Sequence, residues 1–133
     1  MVVVDTNVLA YLLIEGDRSR EAHALFARDP DWRSEAFLLV EFSNLLATYV
    51  RGGALAPSQA GRLLAEAESR MRGLLNVPHA RALDVAAELS VSAYDARFIA
   101  AAQALGARLV TEDARLRAAA PALTRSLAEA LGS

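Results

Sequence analysis

Neither cysteine nor lysine occurs anywhere in the chain of 133 residues, and the two absences exclude a good deal. Without thiols there are no disulfides and no thiolate metal sites, so nothing points to an oxidising compartment. All fourteen basic residues are arginine. A Schiff base, a lysine general base and a phosphate-clamping ammonium are therefore ruled out. This removes P-loop enzymes, haloacid-dehalogenase-type phosphatases and phospho-receiver domains, although each shares with this chain a strand that ends in aspartate. No apolar run reaches the roughly 18 residues of a membrane span, and no charged leader with a cleavage site precedes the first strand pattern. The expectation is a soluble cytoplasmic protein with no membrane partner. A net charge of −2 argues against a protein that coats nucleic acid broadly, and leaves room for a basic rim around an acidic centre.

What is present fits one domain spanning residues 1–133, long enough to bury its own core. Residues 2–5 read as a buried parallel strand, too continuous in valine to have a solvated face. A helix is expected over 6–14, ended near Gly16, and a second from a cap at Asp17 or Ser19 to Arg28. A short strand near 32–34 leads into a long apolar helix over 35–51, stopped by Gly52 and Gly53. Pro57 opens a helix to about 72, and 74–77 reads as a third strand. Pro78 opens a helix to 88 or 89. Ser92 starts an alanine-rich helix closed by Gly106. Residues 108–111 form a fourth strand, 114–119 a short helix, and 122–125 a closing edge strand. Strands separated by helices make a doubly wound parallel sheet.

Against that frame four carboxylates stand where a charge is hardest to place. Asp5 ends the first strand, at the edge where open α/β sheets bind ligands. It could simply cap the first helix, but Thr6 and Asn7 can also do so, which frees Asp5 for chemistry. Glu41 sits among Leu38, Leu39, Val40 and Phe42 on an apolar helix, so it is either buried against a partner charge or looks into a polar cleft. Asp95 lies in Ser92-Ala93-Tyr94-Asp95, close to a capping box, and an acid in the first helical turn is favoured there whatever its function. Asp113 follows the fourth strand and shares a side of it with Thr111, which places it ahead of its neighbour Glu112. If strands one and four are adjacent, Asp5 and Asp113 emerge together, and the helices bearing Glu41 and Asp95 can close over them. Packed carboxylates repel until cations arrive. Hard oxygen donors without Cys or paired His suit Mg²⁺ or Mn²⁺, and a bound water is then the natural nucleophile for a phosphodiester. His23 and His79 lack metal spacing and read as packing or surface groups. Trp32 and Tyr94 can stack on bases, though burial is the commoner use of each. Arg97 and Arg115, each two residues beyond an acid, are placed to steer phosphate, although solvated helix-end arginines are the default.

Val-Val-Val-Asp5-Thr6-Asn7-Val-Leu-Ala, Leu-Val-Glu41-Phe-Ser-Asn-Leu-Leu, Ser92-Ala-Tyr94-Asp95-Ala96-Arg-Phe-Ile and Arg-Leu-Val-Thr111-Glu-Asp113-Ala-Arg-Leu follow one another in the order and spacing of a family. Together they resemble the PIN-domain ribonucleases, and among these the VapC toxins of VapBC toxin-antitoxin modules. The resemblance covers the whole chain. It implies a three-layer α/β/α fold with a central parallel sheet and an acidic metal site at Asp5, Glu41, Asp95 and Asp113, supported by Thr111 and Asn7. It also implies cleavage of RNA dependent on Mg²⁺ or Mn²⁺, a homodimer, and inhibition by a cognate VapB-like antitoxin. Two alternatives stay open: a non-toxin PIN nuclease of RNA processing, and a binding module that uses the fold without catalysis.

Overall fold

The computed structural model describes residues 1–132. Its centre is a parallel sheet of four short strands: β1 (Val2–Val4), β2 (Trp32–Arg33), β3 (Leu109–Val110) and β4 (Thr124–Arg125), in the order β2-β1-β3-β4. The eight helices are α1 (Thr6–Leu13), α2 (Ser19–Arg28), α3 (Phe37–Arg51), α4 (Pro57–Arg70), α5 (His79–Leu89), α6 (Ala93–Ala104), α7 (Ala114–Ala119) and α8 (Leu127–Gly132). They complete a three-layer α/β/α architecture. β1 is buried throughout, as a strand with neighbours on both edges and helices on both faces must be. The hydrophobic core runs from Val3, Val4 and Leu9 through Leu38 and Phe42 to Phe98, Ile99 and Leu109.

The register matters for function. Val3 pairs with Leu109 and Val4 with Val110, so β1 and β3 are neighbours and end at the same level. The residues that follow, Asp5 on one strand and Thr111 to Asp113 on the other, leave the sheet side by side. α6 packs on both β1 and β3, which brings its first turn toward the same edge.

Several boundaries differ from the sequence expectation. Residues 74–77 do not form a third sheet strand: only an isolated parallel bridge joins Leu75 to Glu35. This segment joins α4 to α5 and is held beside the residues that follow β2, Leu75 N–H donating to the Ser34 carbonyl and Ala36 N–H to the Leu75 carbonyl. The edge strand after Pro121 is present as β4, followed by α8, which the sequence reading did not anticipate. α2 begins at Ser19 without a side-chain cap, because the Ser19 hydroxyl turns back to Gly16 N–H and the Ile14 carbonyl. α6 ends as expected, with Gly106 at φ +67° past the C-cap.

Candidate functional site

α1 begins one residue beyond β1, and Asp5 occupies the junction as its N-cap: Oδ1 accepts Val8 N–H at 3.1 Å. The capping role that the sequence offered to Thr6 or Asn7 thus falls to Asp5 itself. A single oxygen suffices for it. Oδ2 accepts the Thr111 hydroxyl at 2.5 Å across the β1/β3 boundary, and the same Thr111 oxygen accepts Asp113 N–H at 3.1 Å. Thr111 is buried and therefore a fixed bracket between the two strand ends. Asp113 caps α7 in turn, Oδ1 accepting the N–H groups of Arg115 at 2.9 Å and Leu116 at 3.2 Å.

Glu41 and Asp95 approach from helices. Thr6, freed from capping, donates its hydroxyl to Glu41 Oε1 at 2.6 Å and so pins the second turn of α3 to the start of α1. Asp95 lies in the first turn of α6, where its N–H donates to the Ser92 hydroxyl that caps the helix. All four acids line one cleft of about 590 Å³, with Thr6, Asn7, Asn44, Thr48, Phe37, Val40, Leu45, Tyr94 and Phe98 completing its walls. None of these lining residues is basic.

The electrostatics follow from this crowding. Burial pushes the Asp5 carboxyl up from 3.8 to about 6, with the bonds from Thr111 and Val8 opposing and the charges of Asp95 and Asp113 adding to the rise. Burial also raises Asp95, followed by the charge of Asp113, against a hydrogen bond from Ser92. The three aspartates therefore feel one another. Among the described residues, however, no three Asp, Glu or His side chains converge tightly enough to form a ready-made metal cage.

The remaining sequence candidates separate cleanly. Asn7 is exposed at the cleft wall. Glu112 turns away, its carboxylate bonded to Arg18 at 2.8 Å and to Leu127 N–H at 2.8 Å, so it holds α2 and α8 together. Arg97 is no phosphate guide: it bonds buried Glu35 at 2.8 Å and the Val77 carbonyl at 2.9 Å, and touches His79 Nδ1. Trp32 is buried edge-on against Phe26, whereas Tyr94 is 62 % exposed and stands outside the core. Sequence reasoning missed Thr6, Glu35 and Phe37. Glu35 carried a readable signal, since Trp32-Arg33-Ser34-Glu35 repeats the strand-then-acid form of Asp5.

With the geometry in place, comparison with known proteins is decisive for the family. The PIN domain family matches residues 2–121. This chain belongs to it. The PIN chain is also 29 % identical over 126 residues to "Ribonuclease VapC3" of Pyrobaculum aerophilum, an alignment that covers 92 % of this chain and 96 % of that protein. Its fold is similar to the crystal structure of PAE2754 from Pyrobaculum aerophilum, with a TM-score of 0.80 at 23 % identity, covering 98 % of this chain and 92 % of the other. No helix of this PIN domain among the described residues is long and apolar enough to cross a membrane.

Proposed function

We propose that this PIN domain is an endoribonuclease that hydrolyses RNA phosphodiesters with a divalent cation, Mg²⁺ or Mn²⁺, at Asp5, Glu41, Asp95 and Asp113. The observation that carries the reading is the meeting of all four acids in one cleft that has no basic residue in its walls. A cleft so built repels a phosphate unless cations neutralise it. The donor chemistry fits such an ion, because every charged group in the cleft wall is a carboxylate. That suits Mg²⁺, which keeps several waters and takes one or two carboxylates together with substrate phosphates. When bound, the cation supplies Lewis acidity toward phosphate oxygens and acidifies a water.

The chain's own part is positioning and proton handling. Thr111 fixes Asp5 Oδ2, and Val8 N–H fixes Oδ1, so this carboxylate presents its remaining lone pairs in one orientation. Thr6 does the same for Glu41. Because the Asp5 carboxyl titrates at about 6, it holds a proton in mildly acidic solution and releases it near neutrality. Proton and cation therefore compete for it, and cation affinity should rise through that pH.

The similarity to a protein named ribonuclease VapC3 supports assigning this chain as the toxin of a toxin-antitoxin module with an antitoxin of VapB type as its inhibitor, and we propose a homodimer as its assembly. The partly exposed side of α3, where Val40 is 59 % exposed, offers surface for such contacts. The deciding experiment is cleavage of single-stranded RNA by the purified chain with Mg²⁺ or Mn²⁺ and with chelator, beside Asp95→Asn. Cleavage that depends on cation and is lost in the variant supports the reading. Equal cleavage by both proteins, or none by the parent under any cation, refutes it. Growth arrest on expression, relieved by a neighbouring small gene, separates a toxin from an RNA-processing nuclease.

A further inference from the structure

Tyr94 is the anomaly of the cleft wall. A tyrosine ordinarily buries its ring, yet this one is 62 % exposed while Phe98, one turn further along α6, is 2 % exposed. It is not disordered surface chemistry, because its ring lies nearly parallel to Phe37, with 12° between planes and 5.3 Å between centroids. Phe37 is partly buried and packs against the hydrophobic core. The two rings thus make a short column that starts on the core and ends in an open aromatic ring at the cleft, immediately before Asp95 in the chain.

We propose that Tyr94, backed by Phe37, is the platform on which one base of the RNA stacks, adjoining the phosphate that lies among the carboxylates. This rests on the nuclease reading above. One observation and one general property of RNA favour a base as the occupant. First, the cleft walls hold four acids and no arginine, so side-chain cations within it cannot supply the affinity for a polyanion. Stacking is then a principal protein contribution to holding the strand. Second, single-stranded RNA is recognised by splaying bases onto aromatic rings, and every base offers a π-face. Phe37 fixes the orientation of Tyr94 beforehand, so little ordering remains to be done on binding. Because Glu41 lies one turn along α3 from Phe37, both helices that bear the platform also bear an acid.

The test compares the parent, Tyr94→Phe and Tyr94→Ala on a short single-stranded RNA and on copies carrying one abasic position, stepped along the strand beside the cut. The proposal expects Tyr94→Ala to raise KM about 5- to 150-fold, the range implied by base–aromatic stacking, with the loss in KM and not in kcat, and Tyr94→Phe to recover most of it. One abasic position should cost the parent a similar factor and cost Tyr94→Ala nothing further. A parent-like KM for Tyr94→Ala, or equal abasic losses in both proteins, overturns the platform. Thermal melts check that the exposed side chain is dispensable for folding. If the parent cleaves no RNA, the nuclease reading fails separately, and quenching of 2-aminopurine RNA by the parent but not by Tyr94→Ala still decides the platform. Should Tyr94→Ala bind RNA normally and lose only its inhibitor protein, the column is a protein contact and the proposal is wrong.

Discussion

Replacing Asp5 by Asn should stabilise the cation-free protein while removing its chemistry. The Asp5 carboxyl is lifted from 3.8 to about 6 by burial and by Asp95 and Asp113. Ionising it in the fold therefore costs about 3 kcal/mol more than ionising it in the unfolded chain. Its folded value lies above its unfolded one, so the protonated form favours folding: that contribution is complete below about 3.8 and disappears as pH rises through about 6. At pH 7.5 the parent bears the full penalty, and the amide bears none. Asparagine can still accept Val8 N–H. Its amide nitrogen, however, meets a Thr111 oxygen that already accepts Asp113 N–H, and the displaced hydroxyl proton loses its acceptor, a cost of about 1 kcal/mol. The net gain is about 2 kcal/mol, or about 8 °C in Tm for a domain of this size. At pH 5 the parent has recovered about 1.4 kcal/mol by protonation, so most of the difference closes. Urea and thermal melts followed by circular dichroism, in chelator at both pH values, measure this. A folded variant that is less stable than the parent at pH 7.5, or a difference that ignores pH, would refute the argument.

Three further outcomes can be checked with the same proteins. Asp95→Asn should leave a folded chain and abolish cation-dependent RNA cleavage, read by a quenched fluorescent oligonucleotide against the parent at matched protein. Mg²⁺ or Mn²⁺ at about 100 times the dissociation constant should stabilise the parent by roughly 2.7 kcal/mol and leave an Asp5/Asp95 double variant unmoved, and titrations at pH 5 and 7.5 should show the weaker binding at the lower pH. Arg97→Ala strands the carboxylate of Glu35, whose side chain is 2 % exposed, and should destabilise by about 3–5 kcal/mol, whereas Arg115→Ala, on exposed α7, should change stability by less than about 0.5 kcal/mol in parallel denaturant melts.

Much of the fold and most of the cleft were legible because both depend on local grammar. Val2 to Asp5 and Leu109 to Asp113 announce strands that deliver an acid at their ends, and the adjacency of those strands is enough to unite Asp5 with Asp113. Glu41 and Asp95 were legible from the mismatch between a charge and an apolar neighbourhood, and from a helix start. What failed depended on partners far along the chain. Residues 74–77 have a strand-like composition, but they meet the chain just beyond edge strand β2 at a single bridge, Leu75 to Glu35, and composition does not reveal how many residues will pair. Arg97 sits beside an acid in sequence, and only the folded chain brings Glu35 within 2.8 Å of it. The exposure of Tyr94 was equally hidden, because local sequence does not distinguish a ring stacked on one neighbour from a ring enclosed by several.

The hydroxyls of Thr6 and Thr111 have one more consequence, for how substitutions combine. Thr6 connects α1 to Glu41, while Thr111 connects Asp5 to the backbone of Asp113, and Thr6 is covalently next to Asp5. Three acids, one on α3 and two just beyond the ends of β1 and β3, thereby share one bonded lattice, so a change at any member alters what the others experience. Asp95 is joined to that lattice only through space and charge; its helix is moored independently through Arg97 to Glu35. Genetic interactions should mirror this division: pairs drawn from Thr6, Glu41, Asp5 and Thr111 are strongly epistatic in stability, and pairs that join Asp95 to one of the two threonines are close to independent.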